Sequence, residues 1–119
     1  MKKTRRVLAR GVLAGLASVL APGTVGAAAI DITVVNAGTR SVDGLYLATT
    51  AQSAWGPDVL DGDFLAPSGT VTLQGVSCAP PSMVVVAEDV GGCFMYQTVG
   101  CGGNATWTIT SSTPHDCGR

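Results

Sequence analysis

The stretch SCAPPSMVVVAEDVGGCFMYQTVGC, Ser77 to Cys101, carries most of the information about the fold. Met83–Ala87 is apolar at every position, so both faces of an extended segment there would be apolar, which places it centrally in a sheet. Cys93–Val99 (CFMYQTV) is also strand-like, and Asp89-Val90-Gly91-Gly92 between the two is turn chemistry. A hairpin around that turn brings its far ends together and sets Cys78 near Cys101. The remaining cysteines, Cys93 and Cys117, meet if the final strand folds back beside Cys93–Val99. The other two connectivities of four cysteines stay open, because spacing alone does not choose among them.

Strand patterning extends outward on both sides. Ile30–Val34 (IDITV) and Thr70–Gln74 (TVTLQ) alternate apolar and polar residues. Ala105–Thr110 (ATWTIT) alternates most cleanly, with Ala105, Trp107 and Ile109 on one face and threonines on the other. Period-two patterning marks half-buried antiparallel strands. Gly44–Thr50 (GLYLATT) completes the set, and Asn36-Ala37-Gly38, Pro67-Ser68-Gly69 and Gly102-Gly103-Asn104 supply turns. No apolar stripe of 3.6-residue period follows the leader. The expectation is an all-β domain of about six strands, a small antiparallel β-sandwich or open barrel stabilised by disulfides.

The first 29 residues read as an export signal peptide. A basic start, MKKTRRVLAR, precedes a short apolar stretch, Gly11–Ala21, and a run of small residues ending at Ala29. Cleavage is expected after Ala27 or Ala29, leaving one secreted domain over 30–119, periplasmic or extracellular, with no stable membrane anchor in the mature form. Thr4-Arg5-Arg6-Val7-Leu8-Ala9 resembles the twin-arginine export motif. That route carries folded chains, so the disulfides would close after translocation. Cys78, Cys93, Cys101 and Cys117 in an exported chain read as disulfides. Zinc is the competing reading, but none has the close pair spacing of structural zinc sites.

Removing the leader changes the charge. Arg40 and Arg119 remain against eight acids, a net −6, whereas the precursor carries −1. Such a surface lacks the cations that phosphate recognition needs, which excludes nucleic acid and anionic membranes as partners.

The segments Asn36-Ala37-Gly38, Leu45-Tyr46, Trp55-Gly56-Pro57-Asp58-Val59-Leu60, Leu65-Ala66-Pro67-Ser68-Gly69 and the hairpin bracketed by Cys78 and Cys101 together resemble a group of small exported bacterial β-domain proteins of unknown function. The resemblance covers most of the chain after the leader. It implies a secreted β domain and a Cys78–Cys101 bond, and it implies no activity. The tip Asp89-Val90-Gly91-Gly92 and the stretch Ala79-Pro80-Pro81 depart from that group's outline, and Cys93 with Cys117 is an additional pair.

Candidate site residues are sparse. Asp58, Asp61 and Asp63 could supply oxygen ligands to calcium. Their order does not match an EF-hand loop and no glutamate closes the site, so two turns capped by aspartate are the expected role. Trp55, Leu60, Phe64 and Leu65 are then expected to pack over one end of the sheet. Trp55 is also a candidate sugar platform. The six aromatic residues, Tyr46, Trp55, Phe64, Phe94, Tyr96 and Trp107, are few enough that a small core is expected to need most of them. Asn104-Ala105-Thr106 is a chance match to a glycosylation sequon.

Catalytic groups are poorly represented. The single histidine, His115, lies in the tail beside Asp116, and adjacent residues on an extended tail point apart. No nucleophile elbow, metal-spaced histidines or phosphate loop is present. The expectation is a non-catalytic module, macromolecule-binding or structural, with no cofactor. A calcium-dependent module using Asp58–Asp63 and a small inhibitor of a secreted enzyme are the alternatives.

Overall fold

The structure, a computed structural model, describes residues 28–50 and 54–118. The expected export signal lies outside the described residues except for Ala28 and Ala29, which open the first strand.

Six strands follow in chain order: β1 (Ala28–Asn36), β2 (Val42–Ala48), β3 (Thr70–Cys78), β4 (Ser82–Asp89), β5 (Phe94–Gly100) and β6 (Ala105–Ile109). They form two three-stranded sheets, ordered β3-β1-β6 and β2-β4-β5. The sheets face each other as a small sandwich; they do not close into a barrel. Alternation in β1 points Ile30, Ile32, Val34 and Asn36 inward, and in β6 it points Trp107 and Ile109 inward. The opposing sheet contributes Val42, Leu45, Met83, Val85, Ala87, Met95 and Val99. Leu60 and Leu65, from the β2–β3 connection, complete the core. Enclosing a side chain such as Ile32 or Leu45 contributes about 1.5–3 kcal/mol relative to leaving it in water.

β4 lies centrally in its sheet, as its two apolar faces require. β6 differs from expectation: it runs parallel to β1, with Val34 opposite Trp107, and does not pair with β5. Period-two patterning identifies a half-buried strand but says nothing of the direction of its neighbour. What folds back beside β5 is the tail, where Phe94 and Asp116 exchange both backbone hydrogen bonds.

The disulfides are Cys78–Cys101 and Cys93–Cys117, the pairing that the hairpin geometry points to. The first joins the end of β3 to the end of β5. The second fastens the tail to the start of β5. One bulge also depends on residue type. Between Ile30↔Val76 and Ile32↔Leu73, β3 carries an extra residue, Gly75 adopts φ 63°, and its amide donates to Asp31 Oδ1 at 3.1 Å. Glycine takes this left-handed conformation without a Cβ clash.

Candidate functional site

The core is almost wholly aliphatic, and this overturns the expected placement of the aromatic residues. Among the described residues, Trp107 is the only aromatic one in the core between the sheets. Tyr46, Phe94 and Tyr96 instead project from the opposite, outer face of the β2-β4-β5 sheet. Tyr46, Val86 and Tyr96 share one row across the strands, and Gly44, Glu88 and Phe94 share the next. The physical reason lies in β4: because both its faces are apolar, the outer Val86 needs a cover, and Tyr46 and Tyr96 flank it on the neighbouring strands.

Trp55, from the β2–β3 connection, completes the cover. Its ring centroid lies 5.4 Å from that of Tyr46, 5.0 Å from Phe94 and 6.3 Å from Tyr96, with the two β5 rings edge-on to it. These are favourable separations for aromatic pairs. Val86 beneath is fully enclosed, while Trp55, Tyr46 and Phe94 are half-buried and Tyr96 is 38% exposed. The result is an aromatic ledge facing solvent.

The connection is held against the free edge of β2. Gly56 N–H donates to Leu47 O at 3.0 Å and Val59 N–H to Leu45 O at 2.7 Å. Asp58 Oδ1 accepts from Leu45 N at 3.0 Å and Leu60 N at 2.9 Å. Asp58 thus both caps its own turn and pins the loop to the strand. Asp61 is exposed at φ 55°, and Asp63 is half-buried further along. Among the described residues, no three His, Cys, Asp or Glu side chains gather to hold a metal ion. Phe64 departs from expectation: it is 60% exposed, whereas Leu60 and Leu65 beside it enter the core.

The ledge carries a negative field. Tyr46 Oη donates to Glu88 Oε1 at 2.9 Å. Burial, that hydrogen bond and the charges of Glu88, Asp58 and Asp43 push the Tyr46 phenol up to about 12. Gly44 makes room for the phenol, since a Cβ there would stand 2.6 Å from Tyr46 Oη. No cation pairs with Glu88 among the described residues, and Arg40 is the only lysine or arginine among them.

A second polar site occupies one end of the sandwich, in a cleft of about 240 Å³ lined by Arg40, Asp89, Ser111 and His115 among others. The Asp89 side chain is 1% exposed. Its Oδ1 accepts from Gly91 N at 2.8 Å and Cys93 N at 3.1 Å, closing the hairpin turn. Its Oδ2 faces Arg40 NH1 at 3.3 Å and His115 Nε2 at 3.6 Å. Burial alone would raise its pKa, but the Cys93 and Gly91 amides, Arg40 and His115 outweigh it and hold the carboxyl below its usual value. His115 thus sets its Nε2 against the buried Asp89, although the residue itself stays exposed. Among the described residues no hydroxyl is hydrogen-bonded to His115. Asn36, also buried, donates to the Arg40 and Leu65 carbonyls and accepts from Gly38 N, which closes the loop that presents Arg40.

Asp89, Arg40 and the Tyr46–Glu88 pair are absent from the residues singled out by sequence. The turn at Asp89 is visible in the sequence, but its charged partners Arg40 and His115 lie far along the chain. Comparison with protein-family models, with curated proteins and with solved structures finds no match for this chain.

Proposed function

We propose that this chain is an exported, non-catalytic β module that recognises a macromolecule through the aromatic outer face of the β2-β4-β5 sheet. The observation that carries the reading is the placement of Tyr46, Trp55, Phe94 and Tyr96 outside the core, gathered by a dedicated loop into one solvent-facing ledge. Aromatic rings provide large contact area at low entropic cost, which is why they dominate recognition surfaces. Export is supported by the leader pattern and by two disulfides, which persist in oxidising compartments. Cleavage after Ala27 would leave β1 whole, since Ala28 and Ala29 pair with Cys78 and Ser77.

The test is retention on arrays of extracellular glycans and peptides, comparing the native protein with Trp55→Ala and Tyr96→Ser. Probes retained by the native protein should be lost by both variants. Retention indifferent to both substitutions would reject the ledge as the recognition face. A hydrolase activity abolished by His115→Ala would reject the non-catalytic reading.

A further inference from the structure

The ledge ends at an open strand edge, and the hydrogen-bond pattern shows which groups face outward there. Phe94 N–H donates to Asp116 O at 2.7 Å and Phe94 O accepts from Asp116 N at 2.8 Å, so Phe94 directs its backbone away from β4. Backbone direction alternates along a strand, so Tyr96 and Thr98 direct theirs the same way. The other sheet edge agrees. Leu45 and Leu47 bond the loop outside β2, so Tyr46 bonds inward to Val86, and Val86 therefore turns away from Tyr96. Among the described residues the tail covers β5 only at Phe94. Beyond it, no described residue pairs with the outward amides of Tyr96 and Thr98, and Thr98 O meets only the Gln97 side chain at 3.3 Å.

This edge lies beside the exposed Tyr96 ring, and the charge around it is one-sided. Glu88 turns one oxygen to Tyr46, and its other oxygen meets no cation among the described residues. Asp58 and Asp43 add to the same field at Tyr46. A second copy of this domain would bring like charge to the edge, since eight acids face one described arginine. A partner strand bearing cations complements both the rings and the carboxylates.

We infer that the outer edge of β5 accepts an extended lysine- or arginine-bearing segment of a protein partner as an added strand. This deepens the proposed recognition role of the ledge and rests on it. The residue opposite Tyr96 in the added strand points to the same face as the Tyr96 ring, where neighbouring side chains on adjacent strands meet. Alternate residues of the segment thus lie over the ledge, toward Trp55 and Glu88. Backbone hydrogen bonds to Tyr96 and Thr98 hold it, continuing along β5 from the point where the tail leaves off.

The experiment is an amide NMR titration of the disulfide-bonded protein with a blocked peptide of alternating lysine and valine. An alternating glutamate–valine peptide and a soluble β-linked glucan oligosaccharide serve as comparisons. The lysine peptide should shift the Tyr96 and Thr98 amides and slow their hydrogen exchange, and the glutamate peptide should do neither. Thr98→Pro removes an outward N–H without touching the β4 ladder, so the fold should persist while affinity falls about tenfold. Glu88→Gln should weaken binding and flatten its salt dependence. Lysine-peptide affinity unchanged by Thr98→Pro in a folded variant, or no binding at about 1 mM peptide, would overturn the inference. Ledge shifts caused by the glucan but not by the lysine peptide would also overturn it, while leaving the aromatic recognition face standing.

Discussion

Removing the Asp89 carboxylate should be among the most damaging single changes to this domain, and the structure says which part of its role costs most. Two amides, the part-buried Gly91 N–H and the buried Cys93 N–H, depend on Oδ1, while Oδ2 faces Arg40 and His115. Hydrogen bonds to a charged group contribute about 1.5–3 kcal/mol each, so Asp89→Ala should cost about 3 kcal/mol or more. Arg40 has a side chain 55% exposed, and its pairing is screened by solvent. Arg40→Ala should therefore cost less than about 1 kcal/mol. Asp89→Asn keeps an acceptor for both amides but loses the charge and the oxygen that faces Arg40 and His115, an intermediate cost of about 1–2 kcal/mol.

Urea unfolding followed by circular dichroism measures all three. With a slope of about 1 kcal/mol per molar urea for a domain this small, the alanine variant's midpoint should fall by about 3 M or more. The pH dependence has a definite sign. The folded carboxyl titrates below its unfolded value, so its contribution is present above about pH 4 and drains away as pH falls through the lower folded value. Asp89→Asn should lose that part of the acid sensitivity. Equal losses for the alanine and asparagine variants, or an Arg40→Ala loss matching Asp89→Ala, would refute the assignment of the main cost to the two amides.

Spectrophotometric titration should find one tyrosine ionising near pH 12, and Glu88→Gln should lower that value, because Glu88 is the leading partner raising it. The raised folded value means that Tyr46 stabilises the domain below about pH 10 and loses that contribution as pH rises through 12. Gly44→Ala should displace the Tyr46 phenol from Glu88, seen as a fall in the same titration midpoint and a change in Trp55 emission. Replacing either cystine by paired alanines should cost about 3.5 kcal/mol from chain entropy, since the bridges span 23 and 24 residues; calorimetric melts check it. Nearly equal losses are expected from the two bridges.

The strands were legible because alternation is a local property. Ile30–Val34, Thr70–Gln74 and Ala105–Ile109 each carry it, and Met83–Ala87 shows by its composition that it is covered on both faces. That last feature also held the clue to the aromatic ledge: the outer Val86 needs a cover, and Tyr46 and Tyr96 occupy the matching outward positions. Counting aromatics against core volume obscured it, because the facing sheets fill their interior with Ile, Val, Leu and Met. The parallel pairing of β6 with β1 was not legible, since a strand's pattern is the same whichever way its neighbour runs. Nor was the reach of Asp58 to Leu45 N, or of Asp89 to Arg40 and His115. Each joins residues through the folded backbone, and the local turn chemistry that marks both aspartates says nothing of the distant partner.

The central claim, that Tyr46, Trp55, Phe94 and Tyr96 stand outside the core as a solvent-facing ledge while Trp107 lies within it, is tested most directly by comparing the two tryptophans one at a time. In Trp107→Phe, where only Trp55 emits, acrylamide should quench readily and the emission should lie to the red. In Trp55→Phe, where only Trp107 emits, quenching should be weak and the emission blue-shifted. Equal shielding of the two, or a Trp55 more protected than Trp107, would contradict the account.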